Sequence, residues 1–92
     1  MLNIFVCEDN AIQRRTIVQT IQNIILMEEL DMQLILDTED PYVLLEKVKA
    51  SQGTGIYFLD IDLNSDMNGM KLAQQIRLFD PRGFIIFITA HS

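Results

Sequence analysis

An α/β fold built on a doubly wound parallel sheet is predicted by three observations. Four short apolar runs, "NIFVC", "MQLILD", "IYFL" and "FIIFI", are separated by stretches with helical periodicity. The runs are continuously apolar and do not alternate, as strands covered on both faces require. The polar residues of most chemical interest, Glu8, Asp9, Asp60 and Thr89, each follow directly on one of those runs. In open parallel sheets, ligands bind outside the carboxyl ends of the strands, where the winding direction switches.

Each element follows from local signals. Asn3–Cys7 reads as a buried strand stopped by Glu8-Asp9-Asn10. A helix is expected from about Ala11 to Leu30, with Ile17, Ile21, Ile24 and Ile25 at spacing i, i+4, i+7, i+8. Met32–Asp37 is the second strand. Asp40-Pro41 then starts a helix, with Asp as N-cap and Pro at the first helical position. Tyr42, Leu45 and Val48 supply its inner stripe, and Gly53 and Gly55 end it. Ile56–Leu59 is the third strand, and a polar loop leads to Gly69. Leu72, Ile76 and Phe79 mark the third helix. Asp80-Pro81-Arg82-Gly83 is a turn, and Phe84–Ile88 is the fourth strand. The order is βαβαβαβ, with right-handed crossovers.

Ninety-two residues, 49% of them apolar, suffice for one small domain with a real core. No segment is long enough in apolar character to span a membrane, and no secretory signal precedes the first strand. A single cysteine, Cys7, excludes an internal disulfide and suits a reducing cytoplasm. The net charge of −6, with seven scattered basic residues, argues against nucleic acid or an anionic membrane as a direct partner of this segment.

If the first and third strands are neighbours, in the flavodoxin-like order 2-1-3-4, then Glu8, Asp9 and Asp60 converge. Three carboxylates so placed repel, and one takes up a proton unless a cation lies between them. A hard divalent ion with oxygen ligands answers that arrangement. Mg²⁺ is favoured because it uses one or two carboxylates, keeps waters and accepts phosphate oxygens. An ionised aspartate beside it is a competent nucleophile towards a phosphoryl group. The Thr89 hydroxyl, on the adjoining strand, can donate to a transferring oxygen. Plainer roles stand beside these. Glu8-Asp9 can cap a helix, Asp62 and Asp66 can be turn residues, Cys7 a small core hydrophobe, and His91 a loop residue.

The set formed by Glu8-Asp9, "FLDI" with Asp60, Gly69 and "FITA" with Thr89 resembles a response-regulator receiver domain. The wording "CEDN", "YFLDIDLNSDMNGMKLAQQIR" and "IIFITAHS" is most similar to the accessory-gene-regulator and competence-regulator group of Gram-positive bacteria. Those are quorum-sensing transcription regulators with a LytTR-type DNA-binding domain after the receiver. The resemblance implies that Asp60 is the phosphoacceptor of a sensor histidine kinase. It implies that Asp9 binds Mg²⁺ directly, Glu8 through water, and Asp62 through its backbone carbonyl. Thr89 would be the switch hydroxyl, the location cytoplasmic, and the chain not an enzyme acting on an external substrate. Homodimers are common in the family.

Two departures qualify the resemblance. "DLNSDMNG" lacks a proline after the phosphoacceptor, and Gly69 lies nine residues beyond Asp60 where many receivers have eight. The chain also stops at Ser92, before a fifth strand and its lysine. Residues 1–92 are therefore expected to be a receiver incomplete at its C-terminus, with DNA contacted only by a domain outside it. "FIIFI" would be an apolar edge open to a second copy or to strand exchange.

Two other readings compete. A haloacid-dehalogenase-type phosphatase would use "DIDLN", with Asp60 as nucleophile and Asp62 as general acid. Asn64 is then the wrong residue, the motif falls on the third strand, and Glu8-Asp9 goes unexplained. An FMN-binding module would need a phosphate-cradling loop where "CEDNAIQ" presents carboxylates instead.

Overall fold

A computed structural model describes residues 1–89, so the loop role expected of His91 lies outside the described residues. Seven elements follow in order: β1 (Leu2–Cys7), α1 (Ala11–Met27), β2 (Met32–Thr38), α2 (Pro41–Ala50), β3 (Gly55–Asp60), α3 (Gly69–Phe79) and β4 (Phe84–Ile88). Among the described residues the strands form one parallel sheet in the order β2-β1-β3-β4. The expected fold class and strand order are both observed.

The pleat of the central strand explains why the sheet is covered on both faces. Ile4 and Val6 of β1 point to one side, where Ile17, Ile21 and Ile25 of α1 meet them. Phe5 and Cys7 point to the other, against Leu44, Leu45 and Val48 of α2 and Leu72 and Ile76 of α3. Each large side chain so enclosed contributes roughly 1.5–3 kcal/mol. Phe5 also stacks on Tyr57 of β3, with ring centroids 5.1 Å apart.

Three Asx caps start the helices. The side chain of Asn10 accepts from the Gln13 N–H, that of Asp40 from Tyr42 N–H, and that of Asn68 from Lys71 N–H. Pro41 occupies the first turn of α2, as its fixed φ allows.

Five local expectations differ. α1 ends at Met27 and not near Leu30, because Glu29 adopts a left-handed φ of 51° and the Leu30 N–H turns back to Ile25 O. Ile24 lies on the exposed side of α1. Tyr42 and Phe79 also face outward. The inner face of α2 is Leu44, Leu45 and Val48, and Lys49 Nζ lies 5.3 Å from the centre of the Phe79 ring. Gly55 opens β3, where a Cβ would collide with the Tyr57 side chain, and α2 has already ended at Ala50. At the far edge, Phe84, Ile86 and Phe87 of β4 are exposed. No helix among the described residues is long and apolar enough to cross a membrane.

Candidate functional site

The central strands β1 and β3 run side by side in register, Cys7 opposite Leu59, so the residues after them leave the sheet together. That juxtaposition places Glu8, Asp9 and Asp60 in one cluster, with a carboxylate oxygen of each within 4.8 Å of the others. Glu8 is wholly buried and Asp60 is 4% exposed, whereas Asp9 is half-buried. Among the described residues no Lys or Arg forms an ion pair with any of the three. Arg14, which starts nearby on α1, donates to the backbone carbonyl of Glu8 at 2.7 Å and pairs with Asp37 at 3.4 Å.

The electrostatic consequence falls on Glu8. Burial first, and then hydrogen bonding with Asp60 and Asp9, lift its carboxyl from 4.5 to about 7. Its Oε2 accepts a long bond from the Asn10 N–H at 3.4 Å, but Oε1 is buried with no hydrogen-bond partner. A buried carboxylate oxygen left without a donor is costly unless a cation supplies the missing charge. Three carboxylate ligands at one end of a sheet, one oxygen of them orphaned, fit a hard divalent ion such as Mg²⁺. Cys7, just beneath, has its thiol pushed up to about 12 by burial and then by Asp40, Asp60, Glu8 and Asp9. It packs in the core, as a small hydrophobe does.

The β3–α3 loop wraps this cluster. The Asp62 N–H donates to Asp60 Oδ1 at 3.0 Å, and the Asn64 N–H donates to Asp9 Oδ2 at 3.2 Å. Gly69 closes the loop with its N–H on Ile61 O, and a Cβ at Gly69 would strike the Asp60 carbonyl. Only glycine permits that approach. Asp62 is exposed and stands outside the group of three carboxylates, which it meets through its backbone. Thr89 directly follows Ile88, the residue paired with Asp60 on β4, and is exposed.

Two contributors escaped the sequence reading. Asn64 acts through its backbone N–H, which no side-chain pattern reveals. Tyr42 was counted as core on its helical spacing, yet its hydroxyl reaches both oxygens of Asp66 at 2.8 Å. That bond, then Ser65, holds the Asp66 carboxyl below its ordinary value, and raises the Tyr42 phenol. Asp66 thus ties the loop to α2 and lies outside the group of three carboxylates. An open groove of about 480 Å³ runs past Asp9, Tyr42 and Asn64.

The family model described as the response regulator receiver domain matches residues 4–92. The accessory gene regulator protein A of Staphylococcus epidermidis is 54% identical over 91 residues, and that of Staphylococcus aureus 48%. Each alignment covers 99% of this chain, and the chain spans 38% of the length of these curated relatives. Among solved structures, the signal receiver domain of a modulated diguanylate cyclase from Desulfovibrio desulfuricans superposes with a TM-score of 0.74 at 18% identity, over all of this chain and 67% of that one. The MaeR response regulator bound to beryllium trifluoride superposes with a TM-score of 0.65 at 27% identity, over all of this chain and 70% of that one.

Proposed function

The chain belongs to the response regulator receiver family, and from that premise we propose that Asp60 accepts a phosphoryl group from the phosphohistidine of a sensor histidine kinase. A carboxylate oxygen of Asp60 attacks phosphorus, an O–P bond forms, and the N–P bond breaks. Its electron pair stays on the histidine nitrogen, which regains a proton from solvent. The product is an acyl phosphate on Asp60, made once per chain and not turned over as with an external ester.

One observation carries this reading: the carboxylates of Glu8, Asp9 and Asp60 gather at the carboxyl end of the sheet with Glu8 Oε1 unpartnered. Asp9 and Asp60 would hold Mg²⁺ directly, Glu8 through water, and Asp62 through its carbonyl. When bound, that ion supplies positive charge to the transferring phosphoryl oxygens. The chain's own residues do the rest. The Asp62 N–H orients the Asp60 carboxylate by donating to Oδ1. Gly69 lets α3 begin against Asp60's backbone, fixing the nucleophile from behind. Thr89, which follows the β4 residue paired with Asp60, would offer a hydroxyl to hydrogen-bond the phosphoryl group once it is attached.

The relatives are named as accessory gene regulators. We therefore propose that residues 1–92 act as the receiver of a cytoplasmic, quorum-sensing transcription regulator, whose DNA contacts are made outside these residues. The −6 net charge supports that division.

The test is intact mass after incubation with Mg²⁺ and acetyl phosphate, with Asp60→Asn as the control. A single phosphoryl adduct is expected, lost on chelation of Mg²⁺ and absent from Asp60→Asn. An adduct that persists in the variant would reject Asp60 as the acceptor. Steady release of phosphate from a small ester would favour the phosphatase chemistry instead.

A further inference from the structure

The β3–α3 loop is tied at both ends, and only one tie touches the carboxylate cluster. At the near end, the Asp62 and Asn64 N–H groups sit on Asp60 and Asp9. At the far end, Asp66 receives the Tyr42 hydroxyl on both oxygens at 2.8 Å and the Ser65 hydroxyl at 3.2 Å. Ser65 Oγ in turn accepts the Met67 N–H at 3.2 Å. At the far end every group but Tyr42 belongs to the loop itself. Tyr42 stands on the first turn of α2, an element anchored in the core through Leu44, Leu45 and Val48. It is 45% exposed, so its ring is not retained for core packing. The bond it makes is to an ionised carboxylate, stronger than a neutral pair.

We infer that Tyr42 is a positioning residue for the acidic site: by holding Asp66 against α2 it fixes the loop, keeps the Asn64 N–H on Asp9, and presets the Asp9 carboxylate for a divalent cation. The inference rests on the receiver reading of the cluster. Its physical basis is preorganisation. A loop free to move would have to be ordered when the cation binds, and that entropy would be subtracted from affinity. Anchored through Tyr42, the loop is ordered beforehand. Outer partners of this kind set the orientation of the groups that meet the metal. Coupling is reciprocal, so filling the cluster tightens the hold on the Tyr42 hydroxyl.

The experiment is calorimetric titration with Mg²⁺ of the wild-type chain, Tyr42→Phe, Asp66→Ala, Asp66→Asn and the Tyr42→Phe/Asp66→Ala pair. Urea unfolding and acetyl phosphate adduct formation are measured on the same samples. Tyr42→Phe and Asp66→Ala should each weaken Mg²⁺ binding by roughly fivefold, less than the roughly tenfold or more given by partners bonded directly to a metal ligand, since they act through one further bond. Asp66→Asn keeps an acceptor for the hydroxyl and should retain most of the affinity. The pair should be no worse than either single variant, as for residues acting through one bond. An Asp66→Asn loss equal to that of Asp66→Ala would make charge, not the hydroxyl bond, responsible and overturn the inference. So would a lowered urea midpoint with unchanged Mg²⁺ affinity, the mark of a merely structural tie. A wild-type chain that binds Mg²⁺ without forming an adduct rejects the phosphoacceptor reading and leaves the Tyr42 arm to be judged on affinity. A wild-type chain that binds no Mg²⁺ rejects both.

Discussion

Carboxylates are buried at both ends of this sheet, and they are treated in opposite ways. At the amino end, Asp80 follows α3 and turns inward, where its Oδ2 accepts from the Gly55 N–H at 2.8 Å and from the Tyr57 hydroxyl at 2.7 Å. That carboxylate serves two donors that would otherwise be buried without a partner, and it raises the Tyr57 phenol after burial has done so first. At the carboxyl end, Glu8 has one oxygen unpartnered and two acidic neighbours. A satisfied buried carboxylate is part of the scaffold. An unsatisfied one among its own kind stores repulsion that a ligand can relieve.

The largest effect should come from breaking the satisfied end. Asp80→Ala strands the Gly55 N–H and the Tyr57 hydroxyl in the interior, at a cost of about 2–4 kcal/mol. Urea unfolding would show it as a lowered midpoint, with no change of slope if the folded state is otherwise kept. Adding Tyr57→Phe should recover part of the loss, because one of the two stranded donors is then gone. A double variant weaker than Asp80→Ala by the full cost of Tyr57→Phe alone would show that the hydroxyl bond was not what Asp80 supplied.

The unsatisfied end should respond in the other direction. With Mg²⁺ removed by chelation, Glu8 binds its proton in the folded chain up to about pH 7, against 4.5 ordinarily. Between those values the folded state holds more protons than the unfolded state. Stability from this group is thus fully present below about pH 4.5 and is lost as pH rises through about 7, a fall on the order of 3 kcal/mol. Urea midpoints of the metal-free chain should therefore be lower at pH 8 than at pH 5.5, and Glu8→Gln should flatten that difference. Equal midpoints at the two pH values in the wild-type chain would mean that the cluster is not strained without its ion.

The same contrast explains what was legible in the sequence. Glu8, Asp9 and Asp60 could be found because each follows an apolar run, and parallel strands carry such residues to one edge whatever else the fold does. The runs gave the parallel sheet, but its strand order entered as a supposition, the flavodoxin-like one, which the structure bears out. Asp80 was read only as part of a turn. Its role depends on Gly55 and Tyr57, 25 and 23 residues earlier, and no local pattern records such a meeting. Tyr42 misled through periodicity, since an aromatic at helical spacing reads as core until its hydroxyl is seen on Asp66. The end of α1 was missed because Glu29 takes a left-handed φ that sequence assigns to glycine or asparagine.

The smallest expected effect belongs to Cys7, which lies between the two ends on β1 and directly under the acidic cluster. The thiol is fully buried and lifted to about 12, by burial before the nearby carboxylates. Iodoacetamide at pH 8 should therefore label it chiefly through opening of the fold, with a minor route through the closed chain, since the thiolate is the nucleophile. Denatured chain should react at once, native chain slowly. If Mg²⁺ binds the folded chain alone, it lowers the open population by mass action and slows labelling further. Relief of the carboxylate field acts the other way, easing ionisation of the thiol. Because burial is the larger cause of its shift, the mass-action effect should win, and Mg²⁺ should retard labelling modestly. Acceleration by Mg²⁺ in the wild-type chain would show that the carboxylate field outweighs burial at Cys7. The acidic end would then govern the core beneath it as well as its own residues.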